Sequence, residues 1–236
     1  MSGNYRHSYH AGNSADVFKH VVLLQLLQGM QRKDKPLLYV DTHAGRGQYD
    51  LQQAQSAATE EWKDGVERLV GWENPPSEVQ CLFDELHQLN RERGQTYWRY
   101  YPGSPWLAAR HLRAQDRAIL CEIQNEECKL LQKAVEPCHT AQVEQCDGYQ
   151  RLRSLLPPIE KRALVLIDPP YESNADSWSS LVNVLKESHK RFATGVYAVW
   201  YPIKGQDDSV RFHRLLKQAG IKDISAVELT VFDEVS

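Results

Sequence analysis

The sequence predicts an α/β fold built on a mostly parallel sheet, and three observations predict it. Ala163–Ile167 is five apolar residues in a row, the pattern of a strand buried on both faces of such a sheet. Leu37-Leu38-Tyr39-Val40 is a second apolar run, and it passes straight into Asp41-Thr42-His43-Ala44-Gly45-Arg46-Gly47, a strand entering a Gly-x-Gly turn. Around these, strand-length apolar runs alternate with capped helical segments, as crossover connections require. Residues 51–99 break the alternation and read as a helical insertion within a single domain spanning 1–236.

Taken in order, residues 1–13 are polar, aromatic and histidine-rich. A helix follows, with Asn13 or Ser14 as N-cap and Asp16 in the first turn, where the dipole favours an acid. Val17, Val21, Leu24 and Leu27 form its apolar stripe; Lys19 and His20 fall off it. Gly29 and then Lys33-Asp34-Lys35-Pro36 are expected to end it before the first strand, Leu37–Val40. The glycine turn after that strand lets backbone amides approach a ligand. Asp50 stands where a dinucleotide fingerprint would have its third glycine, which disfavours a nicotinamide dehydrogenase.

Inside the insertion, Trp62, Val66 and Leu69 mark one helical face and Val79, Leu82, Phe83, Leu86 and Leu89 a second, with Asn74-Pro75-Pro76 as a linker. Arg91, Arg93 and Arg99 with Tyr97, Trp98 and Tyr100 form a basic-aromatic edge, suited to nucleic acid or to a packed helix end. Ser104 as N-cap and Pro105 at the first helical position open a helix to Arg113. Ala118–Cys121 is a strand ending in Glu122, an acid where such sheets hydrogen-bond a ribose. Val143–Cys146 is a short third strand ending in Asp147-Gly148, and a helix around 151–156 precedes the central strand. Beyond it come a helix over 178–191, a fifth strand at Val196–Trp200, a helix over 212–219 and a sixth strand at Ile224–Val231.

The central strand must stop at Pro169-Pro170, because neither proline offers an N–H to the ladder. An acid, two rigid carbonyls and the Tyr171 ring therefore sit at its carboxyl end, where open α/β sheets bind ligands. Such a corner suits one chemistry well. The exocyclic amine of a nucleobase is a poor nucleophile, its lone pair being delocalised into the ring. A carboxylate and a proline carbonyl that accept its two N–H bonds pull the nitrogen toward tetrahedral geometry, while Tyr171 stacks on the base. The plainer reading is an Asp-Pro-Pro turn that closes a strand.

Apolar content of 42% with 25% charged residues excludes wholesale disorder. A net charge of −3 means that a nucleic-acid partner must be met by a local basic face. Five cysteines without a Cys-x-x-Cys pair read as reduced thiols in a cytosol, and no zinc site or other metal is expected. The N-terminus lacks the apolar core of a signal peptide and no run approaches transmembrane length, so a cytoplasmic protein with no membrane partner is expected.

The stretches 5–13, 15–20, 39–45, 101–105 (Tyr-Pro-Gly-Ser-Pro), 115–117 (Gln-Asp-Arg), 168–172 (Asp-Pro-Pro-Tyr-Glu) and 200–203 (Trp-Tyr-Pro-Ile) together resemble the RlmJ family, bacterial 23S rRNA adenine-N(6) methyltransferases. The resemblance covers essentially the whole chain. It implies a Rossmann-like, class I methyltransferase fold with S-adenosylmethionine (SAM) as methyl donor. Carried over by position, the cofactor contacts fall on His20, His43, Ser104, Glu122, Asp147, Gly148 and Asp168. The catalytic corner falls on Asp168, Pro169 and Tyr171, and the substrate side on Tyr5, His7 and Lys19. The implied partner is 23S rRNA, free or early in assembly, met by a monomer.

The family pattern continues past the sixth strand into a Gly-Ser-Gly stretch and a closing Asn-Pro-Pro-aromatic strand end, whereas this sequence ends at Asp233-Glu234-Val235-Ser236. The sixth strand is therefore expected to lack a neighbour. Two other functions fit the same residues: a DNA adenine methyltransferase, and a catalytically silent nucleic-acid-binding relative linked to the use of external DNA.

Overall fold

The computed structural model describes residues 10–53, 59–171, 175–203 and 206–230. Its first half runs α1 (Ser14–Gln31), β1 (Leu38–Asp41), β2 (Gln48–Asp50), two 3-10 turns (Glu61–Asp64 and Val66–Leu69), α2 (Ser77–Glu92), β3 (Tyr100–Pro102) and α3 (Ser104–His111). The second half runs β4 (Arg117–Cys121), α4 (Asn125–Val135), β5 (Ala141–Glu144), α5 (Gly148–Leu155), β6 (Ala163–Ile167), α6 (Ala175–Arg191), β7 (Val196–Val199) and α7 (Gln206–Gln218). Five strands form one parallel sheet in the order β5-β4-β1-β6-β7.

Alternation along the inner strands divides the core into two layers. Leu38, Val40, Ile119, Val165 and Ile167 pack on one face against Leu152, Leu181, Leu185, Phe212 and Leu216 of α5, α6 and α7. Tyr39, Ala118, Leu120, Leu164 and Leu166 pack on the other against Leu23 and Leu27 of α1, Ala108 of α3 and Leu131 of α4. The three inner strands are buried nearly end to end, whereas the edge strands β5 and β7 are mostly half-buried.

The remaining layer lies beyond α1. β2 and β3 pair antiparallel, Gln48 opposite Pro102, so the two ends of the 51–99 segment meet in one ladder. Asn90, at the end of α2, locks that neck: its Oδ1 accepts the Arg99 and Tyr100 amides at 2.9 and 2.7 Å, and its Nδ2 donates to the Tyr100 carbonyl at 2.8 Å. Leu24, Tyr49, Val66, Leu82, Leu86 and Tyr101 form the core between this segment and α1. α1 is therefore covered on two sides, and that corrects the single-stripe expectation. Lys19 and His20, expected off the stripe, are 5% and 1% exposed.

Other expectations are corrected locally. α1 runs through Gly29 to Gln31, because its last turns are supported by Leu27 on the sheet. The third strand lies at 141–144, ending before Cys146, where pairing with β4 ends at Cys121–Glu144. Trp62, Val66 and Leu69 lie on two 3-10 turns, not an α-helix, with Gly65 between them at φ −116°. The expected sixth strand is not formed over 224–230, and 231 lies outside the described residues. Arg99 of the basic-aromatic edge is held by Asp50 at 2.8 Å, and Arg93 and Arg99 each lie 5.4 Å from the Tyr100 ring, while Arg91, Arg93 and Tyr97 stay exposed.

Candidate active site

The parallel register brings the carboxyl ends of four strands level: Asp41 stands opposite Leu120 and Leu166, and Ile167 opposite Val199. Two further backbone bonds continue the pairing past the strand ends, Thr42 N–H to the Leu166 carbonyl at 3.1 Å and Trp200 N–H to the Ile167 carbonyl at 3.0 Å. Residues 41–45, 122, 168 and 200 thus share one rim.

Asp168 follows β6 directly, and its carboxylate is met by a side chain from α1. Lys19 Nζ donates to Asp168 Oδ2 at 2.6 Å and pairs with Asp16 Oδ1 at 2.8 Å. Burial pulls the Lys19 pKa down, but Asp16 and Asp168 together outweigh it and hold the ammonium above the ordinary lysine value. The Trp200 ring centroid lies 6.0 Å from Nζ, and Phe18 meets Trp200 edge-on at 5.9 Å. Tyr171 donates its hydroxyl to the Trp200 carbonyl and packs on Trp178 at 5.1 Å, so its ring is anchored at both ends. Burial, ahead of the nearby Asp168 charge, raises the Tyr171 phenol and keeps it neutral. The 168–171 corner and the end of β7 form one aromatic-walled unit with a carboxylate at its floor.

Along the rest of the rim, Asp41 is fully buried and accepts the Ser104 hydroxyl at 2.7 Å, the Tyr39 hydroxyl at 3.1 Å and the His43 amide at 3.3 Å. Burial raises its pKa to about 6 against the pull of these donors. Ser104, expected as an N-cap, is already helical, with Gly103 at the cap; its hydroxyl serves Asp41 instead. His43 meets Tyr149 edge-on at 5.0 Å, and burial lowers it to about 4, so it is neutral at pH 7. Glu122 accepts the Gly45 amide at 2.9 Å and the Gln124 amide at 2.7 Å, and burial leaves its pKa raised. Asp147 caps α5, accepting the Tyr149 and Gln150 amides at 2.8 and 3.1 Å. Gly148 is pressed against β1's exit: a Cβ there would lie 2.0 Å from the Thr42 carbonyl oxygen.

The structure brings His43, Ser104, Glu122, Asp147, Gly148, Asp168 and Lys19 to this rim or its immediate support. His20 stands one layer back, its Nδ1 sharing a 2.8 Å hydrogen bond with Tyr101 and its ring stacked on that tyrosine at 5.4 Å. Tyr5 and His7 lie outside the described residues. Sequence reasoning gave Asp16, Asp41 and Trp200 no part in the site. Asp41 carries the signal that found Glu122 and Asp168, an acid closing an apolar run. Asp16 lies three residues before Lys19, the ordinary helix pairing distance. Among the described residues no group of three or more His, Cys, Asp and Glu side chains is arranged to hold a metal ion, and no helix is long and apolar enough to cross a membrane.

A parallel β5-β4-β1-β6-β7 sheet with acids at the exits of β1, β4 and β6 is the architecture of a Rossmann-like class I methyltransferase. A family model described as "Ribosomal RNA large subunit methyltransferase D, RlmJ" matches residues 34–235. The chain is 41% identical over 231 residues to "Ribosomal RNA large subunit methyltransferase J" of Escherichia coli (strain K12), a match covering 98% of this chain and 81% of that protein. The protein of the same name from Haemophilus influenzae is 40% identical over 228 residues, covering 97% and 80%. The crystal structure of protein LPL1258 from Legionella pneumophila superposes with a TM-score of 0.81 at 38% identity, covering 89% of this chain and 76% of that one. The chain belongs to the RlmJ family and is a SAM-dependent methyltransferase.

Proposed function

We propose that this enzyme methylates the N(6) amine of an adenine in 23S rRNA, with Asp168, Pro169 and Tyr171 as the catalytic corner. The observation that carries the reading is the buried β6 strand delivering Asp168 and two donor-less prolines to an aromatic-walled rim. The names of the E. coli and H. influenzae relatives support the ribosomal RNA substrate.

The donor set fits SAM. A carboxylate offers about four acceptor positions, and the Gly45, Ile123 and Gln124 amides on Glu122 leave one of them for a ribose hydroxyl. Neutral His43, Tyr149, Asp147 and the close-packed Gly148 line the neighbouring exit, while Asp41, held by Ser104, adds negative charge suited to a cationic ligand. His20 supports the site through Tyr101, three residues before Ser104. When bound, SAM would supply a sulfonium methyl to the amine nitrogen, and the proton that the nitrogen loses would pass to solvent. The chain's own residues prepare that nitrogen. Asp168 and the Pro169 carbonyl accept its N–H bonds, the Tyr171 and Trp200 aromatic unit flanks the base, and Lys19 orients Asp168.

Tyr5 and His7 complete the substrate side in this reading. The 51–99 segment is taken as an insertion within one domain, supported by the β2–β3 ladder that joins its ends. In this reading the protein is a cytoplasmic monomer, and free or early-assembly RNA suits it because an exposed adenine avoids the few kcal/mol that unstacking costs. The test is nucleoside mass spectrometry after incubation with SAM. N(6)-methyladenosine should form in protein-free 23S rRNA and not in duplex DNA; the reverse would overturn the assignment.

A further inference from the structure

We propose that Asp16 is a positioning residue whose charge offsets that of Lys19, so that Asp168 meets the substrate amine with a net negative charge behind it. The inference rests on the methyltransferase reading above. Lys19 Nζ stands 2.8 Å from Asp16 Oδ1 and 2.6 Å from Asp168 Oδ2, and the Asp16 and Lys19 side chains are 4% and 5% exposed. In a site so shielded from water, a neighbouring charge is felt strongly. The amine becomes more positive as it is methylated, and a carboxylate stabilises that change. An ammonium bonded to the same carboxylate opposes it. The charges of Lys19 and Asp168 sum to zero and Asp16 brings these three groups to −1, while Asp41 adds its own charge to the rim in either case.

Asp16 is itself fixed before α1 is under way. Its Oδ2 accepts the Gly12 amide at 3.1 Å and its own amide donates to Asn13 Oδ1 at 2.9 Å, in the helical turn where the backbone dipole favours an anion. Lys19 is thereby held from two sides, able to orient Asp168 without cancelling it.

The test compares wild type, Asp16→Asn and Asp16→Asn/Lys19→Met on 23S rRNA at pH 8. Asp41, with its pKa at about 6, is then ionised and His43, at about 4, is neutral, so only the triad changes. The single amide oxygen of Asn can still accept the Gly12 N–H but then gives up the Lys19 bond, so the variant removes the charge together with one hydrogen bond. Asp16→Asn should lower the melting temperature yet fold and keep its calorimetric affinity for S-adenosylhomocysteine, while kcat falls at least about tenfold and KM for RNA changes less. The double variant restores the −1 charge and should recover kcat at least about threefold over the single variant. Unchanged kcat in Asp16→Asn, a double variant no faster than the single, or loss of S-adenosylhomocysteine binding in parallel with kcat would overturn the proposal. Should Asp16→Asn not fold, a folded double variant within about tenfold of wild-type kcat supports it and a folded, inactive one overturns it. Wild-type inactivity on RNA would instead remove the methyltransferase reading, and this inference with it.

Discussion

Glu122 and Asp168 are two acids at equivalent places, one after β4 and one after β6, and they are held in opposite ways. Glu122 accepts backbone amides from Gly45 and Gln124, whose positions follow from the turns beside the strands. Asp168 is held by the Lys19 side chain, 149 residues away in sequence. Fixed backbone dipoles suit a ligand whose charge does not change at that point, such as a ribose diol. A buried triad of two carboxylates and one ammonium suits a nitrogen whose charge changes during reaction. The rim thus divides into a static side and an electrostatically tuned side.

The largest break in that division should come from Lys19→Ala. It leaves Asp16 and Asp168 buried without their cation, and losing one partner of a buried pair costs about 3–5 kcal/mol. Melting temperature and methyl transfer should both fall, with S-adenosylhomocysteine affinity per folded molecule little changed. A fully stable Lys19→Ala would mean that the triad is solvated and the contrast with Glu122 is lost. Next, Glu122→Ala should weaken S-adenosylhomocysteine binding by about 1–3 kcal/mol, the worth of charge-assisted hydroxyl contacts; unchanged affinity in calorimetry removes Glu122 from the site.

A subtler pair of effects comes from the acid–histidine contact beside β1. The Asp41 pKa is raised by burial from 3.8 to about 6, so the folded state holds its proton longer than the unfolded state does. Its contribution to stability is present below pH 3.8 and lost as pH rises toward 6. His43 is lowered from 6.5 to about 4, so its contribution is present above 6.5 and lost as pH falls toward 4. The two slopes oppose one another over nearly the same window. Relative to wild type, His43→Gln should steepen the loss of stability on raising pH through that window, and Asp41→Asn should steepen the loss on lowering it. Urea denaturation at several pH values reads both; parallel curves for the two variants would contradict the burial of either group.

The smallest effect concerns the turn ahead of α1. Glu61 accepts His10 Nδ1 and Asn13 Nδ2, each at 2.9 Å, from the first 3-10 turn. Glu61→Ala breaks a half-exposed contact worth about 0–1 kcal/mol, so KM for RNA should rise only a few-fold with kcat and S-adenosylhomocysteine affinity unchanged. A large fall in kcat would show that the 51–99 segment governs the corner itself.

What was legible in the sequence follows the same division. Ala163–Ile167 and the acids closing their strands are local patterns, and β6, Glu122 and Asp168 stand where those patterns put them. The burial of Lys19 and His20 was not legible from helical periodicity, because the second layer over α1 is built by residues 48–102, whose packing is long-range. Ser104 read as a cap by its neighbours, yet Asp41 at the end of β1 claims its hydroxyl. The alternation over 224–230 suggested a strand, but alternation does not supply a partner, and those residues pair with none among the described residues.

The central claim is that Asp168 works by accepting the adenine amine. Single-turnover methyl transfer to protein-free 23S rRNA by wild type, Asp168→Asn and Asp168→Ala, all saturated with SAM, tests it most directly. Loss of the acceptor in Asp168→Ala should slow transfer at least about a hundredfold. Asp168→Asn keeps one amide oxygen and should fall between the two. Equal rates in Asp168→Ala and wild type would contradict the account outright, and equally dead Asn and Ala variants would replace acceptance with full proton abstraction by the carboxylate.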